Sequence, residues 1–558
     1  MTLLPSTARN AHMTPLAAAL ALALVAGATF GTAPAAAGSS PLPAASAASS
    51  PRYALRQQAR AHAATRSASS SHAPSAPPRV GSVLPVTSCL DDADPGTLRN
   101  VLASAAEGDT VDLTALTCST ITLTQGALDS SVLGDHHLYD VTLQGPGRDK
   151  LTIDGDNASQ VLVGGGFSGE KGTLTVNDLT IANGAYDGSL AACILSFGGT
   201  VALNRVDVKH CRASGHYSLV FGGGVDANLL VMTNSTITDS SIVATGTHSA
   251  AAGGGAYAGD STILVDSTIS GNTVTAPYAY YDGYFSGGGG LYSRGDLTMT
   301  NSTVSGNAIE TTVAGEDAPG GGIYVRGIAT ITGSTVDNNR TDGDGGGVYK
   351  AIYSVYGEPG GSNPTTKLTV VNSTIADNIA GHGGGGIASS RPLYLSNSTV
   401  AGNTAADGGG GVLFRLLGVT DSGGPLDLQS AIVATNLAGK EATFAADIDA
   451  DDTLAASGAN SLVMAGGSAV TLPADTLAAD PLLQPLADNG GPTRTMALDP
   501  ESPAVDTGNN TAALDFDQRG EGFVRVHGAA ADIGAFELQP AADDVIFKDG
   551  FDGDPAPD

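Results

Sequence analysis

Long helical patterns are almost absent from this chain of 558 residues, which also lacks tryptophan and has only 14% charged residues. The one exception is residues 95–106, whose apolar side chains recur at helical spacing: Leu98, Val101, Leu102 and Ala105. Valine, isoleucine, leucine and threonine fill the other periodic segments, as in β-strands. We therefore expect an all-β protein with one short helix, capped by Asp94, that covers the end of the fold.

Positive charge is scarce. The chain has 25 Lys and Arg residues against 55 Asp and Glu residues, a formal net charge of −30. Such an acidic surface disfavours nucleic acids and anionic membranes as partners. It also disfavours a polyanionic glycan unless basic groups or bound cations are gathered locally.

Motifs that identify an enzyme are missing as well. The sequence has no Gly-x-Ser-x-Gly, no His-Glu-x-x-His and no phosphate-binding loop. Acidic clusters at residues 154–157, 342–344, 447–452 and 549–554 offer oxygen ligands of the kind that Ca²⁺ prefers. None has the full spacing of a calcium loop with its distal Glu, so we predict no metal site and no cofactor, with Ca²⁺ as the ion these clusters would favour.

The N-terminus has the pattern of a targeting segment. Arg9 and His12 precede an apolar run over residues 16–30, and Ala35-Ala-Ala37 matches a cleavage site. The run is short for a membrane span. We interpret residues 1–37 as a signal peptide, so that the mature chain is exported, extracellular or at the cell surface, with no transmembrane segment. Residues 38–79, rich in Ala, Ser and Pro, form a flexible linker.

The four cysteines are an even set, which in an exported chain indicates disulfides. The sequence alone permits three pairings. We favour Cys89–Cys118, which would hold the N-terminal helix to the first coil, and Cys193–Cys211, which would join neighbouring coils.

A sequence repeat occurs seven times between Gly222 and Asn436. Each copy consists of a glycine run, an aliphatic strand, a short link and a strand of the form Ser-Thr-Ile-x-x-Asn. Its aliphatic mark falls at steps of 25 to 39 residues: Ile237, Ile269, Val304, Val336, Ile375, Val400 and Ile432. Each unit offers about three short strands and must bury its apolar face on its neighbours. This predicts a parallel β-helix over residues 80–478.

An asparagine closes most copies of the repeat. Its amide can bond the equivalent residue one coil away, and asparagine also tolerates left-handed backbone. We predict a structural ladder with one residue in each coil: Asn272, Asn307, Asn339, Asn378, Asn403 and Asn436.

The strand after each glycine run predicts an outward stripe. Its first residue is aliphatic, so strand alternation sends the second outward, and four consecutive coils have tyrosine there: Tyr257, Tyr292, Tyr324 and Tyr349. Arg294, Arg326 and Arg415 follow two places later, with Lys350 one place nearer. Aromatic faces and guanidinium groups suit sugar rings and their carboxylates, so this stripe is our candidate ligand-binding surface. The alternative is that the tyrosines only stabilise the stack.

Two segments outside the repeats resemble known families. Val86-Thr-Ser-Cys-Leu-Asp-Asp-Ala-Asp-Pro-Gly-Thr-Leu-Arg99 is similar to the CSLREA-type entry segment of exported bacterial right-handed β-helix proteins, although the Glu of that motif is missing. Residues 479–496, 502–508, 517–520 and 531–537 resemble the choice-of-anchor Q domain. The resemblance implies a right-handed parallel β-helix, a C-terminal cap over residues 479–538, an acidic tail over residues 539–558 and surface attachment, and it implies no reaction.

Two functions remain open. The first is a non-enzymatic, secreted or surface-attached protein for adhesion, matrix or glycan contact, whose partner is an extracellular polysaccharide or a cell-surface protein. The second is a polysaccharide lyase or glycoside hydrolase of the β-helix class. The regularity of the coils favours the first. Three or more carboxylates gathered in a groove with Arg294 or Arg326 would favour the second.

Overall fold

The computed structural model describes residues 81–539 except 130–139, 165–171, 189, 217–218, 247–248, 282–283, 314–315, 352–365, 416–425 and 440–443. The predicted signal peptide, the linker and, apart from residue 539, the acidic tail therefore lie outside the described residues. Among the described residues, no helix has the length and apolar character needed to span a bilayer.

Equivalent strands of successive coils pair in parallel, and the described strands form three long sheets. In the first sheet each full coil contributes two short strands or one longer one. Its strands are Val83–Pro85, Thr110–Asp112, Leu128–Asp129, Val141–Gln144, Leu162–Gly164, Thr173–Asn177, Ile194–Asn204, Val225–Thr233, Ala256–Val265, Leu291–Ser293, Asp296–Thr300, Ile323–Val325, Ala329–Thr332, Val348–Lys350, Leu368–Val371, Ile387–Ser389, Leu393–Ser396, Val412–Phe414, Leu426–Gln429, Ile448–Ala450, Leu454–Ala459 and Val470–Thr471.

The second sheet contains the Ser-Thr-Ile segments: Thr120–Thr122, Thr152–Asp154, Thr180–Ala182, Asp207–Lys209, Thr236–Thr238, Thr268–Ser270, Thr303–Ser305, Thr335–Asp337, Thr374–Ala376, Thr399–Ala401, Ile432–Ala434 and Leu462–Val463. The third contains Ala185–Asp187, Arg212–His216, Ser241–Thr245, Thr273–Ala276, Ala308–Thr311, Arg340–Thr341, Ile379–Ala380, Thr404–Ala405, Leu437–Ala438 and Phe444–Ala445. Short pairs join Leu219–Phe221 to Ala250–Ala252 and Tyr280–Tyr281 to Tyr284–Phe285. The predicted right-handed parallel β-helix is thereby confirmed.

The aliphatic marks of the repeat stack in register along the second sheet, and they are buried in one continuous core of Val, Ile and Leu side chains. One mark is misplaced by a residue. Val400 pairs with Val433, whereas Ile432 pairs with Thr399 and faces out of the core. The last copy reads Ser-Ala-Ile-Val, and its extra residue shifts the aliphatic position by one.

The asparagine ladder is confirmed. The backbone N–H and the side-chain amide of Asn272 both donate to Asn307 Oδ1, at 3.0 and 2.9 Å. The same pair of bonds recurs through every rung to Asn436, whose donors end on Asp447 Oδ1. The predicted left-handed backbone is wrong for these residues, because it falls one place earlier, for example at Gly271 and Asn338.

A second ladder, which the sequence reasoning missed, runs beside the first. In each coil the serine of Ser-Thr-Ile accepts a bond from the backbone N–H of its equivalent in the preceding coil, at 3.1 to 3.3 Å. The serines are Ser235, Ser267, Ser302, Ser334, Ser373 and Ser398. They are buried, so each hydroxyl satisfies a backbone group that has no access to water.

The glycine runs make room for the asparagine ladder. A Cβ on Gly290 would lie 2.8 Å from the amide of Asn307, and one on Gly289 would lie 2.3 Å from the carbonyl oxygen of Gly321. Gly288, with φ of +66°, adopts a backbone conformation that other residues rarely reach. The run is therefore a packing requirement of the coil.

The predicted helix spans Leu98–Ser104, and its Leu98, Val101 and Leu102 are buried. Its cap is Thr97 and not Asp94, because Thr97 Oγ1 accepts the N–H of Asn100 while the carbonyl of Asp94 accepts the N–H of Thr97. The disulfides Cys89–Cys118 and Cys193–Cys211 are those that we favoured.

The C-terminal segment, residues 479–539, packs along the side of the second sheet over coils from Gly333 to Asn460. It has a buried charged centre of its own. The Arg519 guanidinium lies 3.9 and 3.8 Å from the ring centroids of Phe523 and Phe536 and pairs with Asp517 at 2.6 Å. Its assignment as a choice-of-anchor Q domain stays a prediction.

Candidate functional site

Four tyrosines stack in register along the first sheet: Tyr257, Tyr292, Tyr324 and Tyr349, here called the tyrosine column. Successive ring centroids lie 5.3, 4.4 and 5.4 Å apart. The side chains leave the main core, as strand alternation predicts. They are nevertheless buried, with 2 to 9% of each residue exposed. The prediction of an exposed aromatic stripe is therefore wrong.

The column is buried because other parts of the coils close over it. The rings form a second apolar cluster with Ala252, Ala351, Ala388 and the half-buried Phe221. A glycine run of a neighbouring coil also lies against them: a Cβ on Gly287 would be 2.8 Å from the ring of Tyr324. Alternation shows which side of the strand a residue takes, but it does not show that turns from neighbouring coils cover that side.

Burial also determines the ionisation of the column. It raises the pKa of Tyr292 and Tyr324, and it raises that of Tyr349 to about 12. The hydroxyls therefore stay neutral, and those of Tyr292 and Tyr324 are hydrogen-bonded to each other. Asp226, in register with Tyr257, stands at one end of the column, and burial raises its pKa to about 8.

Five basic residues lie at the end of five successive glycine strands or within two residues after it, and we call them the basic wall: Arg294, Arg326, Lys350, Arg391 and Arg415. Backbone bonds continue the coil-to-coil pairing through this wall, from Arg326 N to Ser293 O and from Arg415 N to Ser389 O. Arg294 is exposed and Arg326 is half-buried, and the latter bonds the hydroxyl of Tyr292.

Lys350, which the sequence pattern included in the basic stripe one place nearer than the arginines, is fully buried and in register with the core residue Val325. Its ammonium donates to the carbonyl oxygens of Arg326 and Ala351 at 2.8 and 3.0 Å. Burial, with a contribution from the charge of Arg391, lowers the pKa of Lys350 to about 7. The Lys350 ammonium is therefore held inside the fold, and the positive charge of the basic wall at the surface comes from its arginines.

Arg391 was missed by the sequence reasoning. It is 6% exposed, and its Nε and Nη2 have no hydrogen-bond partner among the residues that the structure describes. The sequence does contain a signal for Arg391. Five successive glycine strands, the first of which begins at Leu291, each have a basic residue at or just after their end. Counted from the start of the strand, this residue falls one place later for Arg391 than for Arg415. Because the basic residue does not keep one fixed position relative to the strand, the repeat pattern does not single out Arg391.

Carboxylates gather at the Arg415 end of the wall. Asp344 pairs with Arg415 at 3.0 Å, and burial raises the pKa of Asp344. His382 bonds Asp317 through Nε2 at 2.9 Å and Asp407 through Nδ1 at 2.8 Å. Burial disfavours the charged imidazole, but the bond to Asp407 and the nearby carboxylates outweigh it and raise the pKa of His382.

These acids do not form the catalytic groove that would favour an enzyme. They lie beside Arg415 rather than Arg294 or Arg326, and both nitrogens of His382 already bond carboxylates, so no imidazole lone pair is free to act as a base. Within the described part of the chain, no group of three or more His, Cys, Asp or Glu side chains is placed to hold a metal ion. The arrangement suits binding of an anion by the basic wall.

Comparisons with known proteins add little to this geometry. No family model and no curated protein matches the chain. Among solved structures, it is similar to pectate lyase Pel9A, with 11% identity, a TM-score of 0.34 and coverage of 83% of this chain and 97% of that one. It is also similar to the A-module of the Azotobacter vinelandii mannuronan C-5 epimerase AlgE6, with 14% identity, a TM-score of 0.31 and coverage of 69% and 95%. Scores this low leave the function to be argued from the site.

Proposed function

We propose that this protein is a secreted or surface-attached β-helix that binds an acidic extracellular polysaccharide along the basic wall, in a non-enzymatic adhesion or matrix role. The observation that carries the proposal is the buried guanidinium of Arg391, whose Nε and Nη2 lack hydrogen-bond partners among the described residues. Burying a charge without a partner is costly, whereas a carboxylate would accept both donors. A polyuronate supplies such carboxylates.

The form of the wall supports an extended ligand. Equivalent residues of neighbouring coils repeat at about 4.8 Å, so a row that crosses several coils presents charge along a line. Arg294 gives this row an exposed end, and its guanidinium has no ion pair with any described residue. On a chain with a net charge of −30, the wall is a local gathering of bases, which a polyanion needs.

The polar side chains of the tyrosine column and the neighbouring carboxylate cluster support binding of a polysaccharide rather than its cleavage. The tyrosine hydroxyls are buried and neutral, Asp344 is paired, and His382 is held between two carboxylates. General acid–base catalysis needs a group within reach of the substrate with a free site for the proton. Export is supported by the two disulfides, which are typical of oxidising compartments.

The test is co-sedimentation of the full-length protein with pectate and with a neutral glucan, followed by an assay for new chain ends. We expect retention by pectate alone, without new ends. Arg391→Gln should weaken it about tenfold, since a charge-assisted hydrogen bond contributes about 1.5–3 kcal/mol. Arg340→Gln, on an exposed residue of the third sheet, is the matched control.

Because Arg391 is buried, its replacement also tests the fold. Arg294→Gln removes an exposed member of the same wall and should weaken pectate binding without moving the thermal transition. Equal retention of the wild type and both wall variants would contradict the proposal. New chain ends would replace it with the lyase or hydrolase alternative.

A further inference from the structure

The C-terminal segment shows how the second sheet binds a polypeptide. The side-chain amides of Asn372 and Asn397 donate to the carbonyl oxygens of Phe516 and Asn509, at 3.2 and 2.8 Å. In the last coil Asn460 donates in the same way to Thr507 O at 3.3 Å. In these three coils the turn asparagine thus recognises a main-chain carbonyl.

Threonines of the Ser-Thr motifs make further contacts with the same segment. Thr335 Oγ1 donates to Arg494 O at 2.6 Å, and Thr399 Oγ1 accepts the N–H of Ala535 at 3.1 Å. These five contacts use the main chain of the bound segment and are almost independent of its side chains, whereas Thr374 donates to the side chain of Gln518 at 2.6 Å. Repeating units at fixed spacing therefore present a repeated main-chain binding element.

The same element continues beyond the segment. Thr303 pairs in register with Thr335 and Thr268 pairs with Thr303, so these residues extend the row. Both are half-buried, and neither hydroxyl has a hydrogen-bond partner among the described residues. The Asn301 amide makes a single long contact, 3.4 Å to Asp266 Oδ1. Asn301 and Thr303 thus repeat both parts of the element without a bound chain, and Thr268, whose coil has Asp266 in place of the asparagine, repeats the threonine alone.

This stretch lies between two covered regions. On the N-terminal side, Arg148 reaches across to the carbonyl oxygen of Asn234 at 3.0 Å. On the C-terminal side, Arg494 pairs with Asp337 and approaches Ser305 Oγ at 3.5 Å. Asp239 and Asp266 add negative charge at the border.

We propose that Asn301, Thr303 and Thr268 form a docking site for an extended, neutral or basic polypeptide segment of a partner protein, held through its main-chain carbonyl and N–H groups. The occupant's chemistry follows from continuity: in the following coils Asn372 and Asn397, and Thr335 and Thr399, stand at the equivalent register positions and bind this chain's own main chain. Its charge follows from the two aspartates at the border. The site is on the second sheet and is separate from the basic wall.

The probe is a labelled synthetic peptide copying residues 505–519, with Asp506, Asp515 and Asp517 replaced by Asn so that it does not oppose the border charges. The full-length protein already holds its own copy of this segment, so peptide added in solution reports the uncovered coils. We expect saturable binding in fluorescence anisotropy and slower amide exchange at residues 301–305.

The variant is Asn301→Gly with Thr303→Val, because glycine already stands at the equivalent Gly333 and valine keeps the shape of threonine. It should weaken peptide binding about fivefold or more, since a hydrogen bond contributes about 1 kcal/mol. Thr273→Val, on an exposed threonine of the third sheet, should bind as the wild type does. Absence of binding, equal binding by the double variant, or protection elsewhere would overturn the proposal. Arg391→Gln, in the separate basic wall, should leave peptide binding unchanged.

Discussion

The rings of Tyr292 and Tyr324 stack with centroids 4.4 Å apart and planes inclined by 7°, although the two residues belong to different coils. Their hydroxyls are also hydrogen-bonded to each other. The contact joins consecutive strands of the first sheet outside the main core. The tyrosines therefore hold neighbouring coils together and leave little of their own surface exposed.

Tyr324→Ala should destabilise the protein by about 3–5 kcal/mol, because it removes a buried ring that stacks on both sides. The urea midpoint followed by near-ultraviolet circular dichroism is the measurement. Tyr324→Phe keeps the ring and should cost about 1 kcal/mol for the lost hydrogen bond. An unchanged midpoint for Tyr324→Ala, with loss of pectate binding, would restore the prediction of an exposed ligand stripe.

Asn307→Ala should destabilise the coils on both sides of it by about 3 kcal/mol. The change leaves two donors of Asn272 and the carbonyl of Ile269 without partners in a dry interior. Amide exchange at Asn272 and its neighbours should accelerate by orders of magnitude. Thr273→Ala is the control: Thr273 follows Asn272 directly but is exposed, so amide exchange should stay nearly unchanged.

Asp226→Asn should stabilise the protein at pH 8 and have little effect near pH 4. Because the pKa of Asp226 is raised to about 8, the folded state binds its proton more tightly than the unfolded state, whose pKa is near 3.9. The wild type therefore loses stability as the pH rises from about 4 to 8, and asparagine removes that loss. Thermal transitions of Asp226→Asn and of the exposed control Asp239→Asn, compared at both pH values, decide it. A stabilisation independent of pH would refute the assignment.

Gln518→Ala should loosen the C-terminal segment from the second sheet. The Gln518 amide bridges Thr335 Oγ1 and Thr493 Oγ1, both at 3.0 Å, and its Oε1 accepts from Thr374 at 2.6 Å. Three lost bonds at about 1 kcal/mol each predict cleavage within residues 479–539 by a protease at concentrations that spare the wild type. Gln539→Ala, at the half-buried end of the segment, is the comparison, and equal cleavage of the two would show that Gln518 is not an anchor.

The parts of the fold that repeat could be predicted from the sequence. Equivalent positions must stack when units recur, so Asn307 had to meet Asn339, and the aliphatic marks had to share one core. The cysteine pairs were predictable for a similar reason, because each joins residues that lie close in the chain, 29 and 18 positions apart.

The candidate site depends on contacts that the repeat does not encode. Tyr324 faces outward by alternation, yet turns from other coils cover it, and Arg415 reaches Asp344 from two coils away. The position of the C-terminal segment was equally hidden, since Gln518 bonds Thr335 across 183 residues. Burial by distant parts of the chain has no local signal, and for that reason the tyrosines were predicted to be exposed.

The asparagine ladder has a direction and two terminators. Each rung accepts bonds from the coil before it and donates to the coil after it, beginning with the N–H of Ser240 and ending on the carboxylate of Asp447, which only accepts. Every interior rung has the same donors and acceptor, so adding or removing one rung would leave every amide of the ladder with a partner and change its length by about 4.8 Å. The ladder itself therefore sets no limit on the number of coils, whereas the contacts of the C-terminal segment tie it to the particular coils from Gly333 to Asn460.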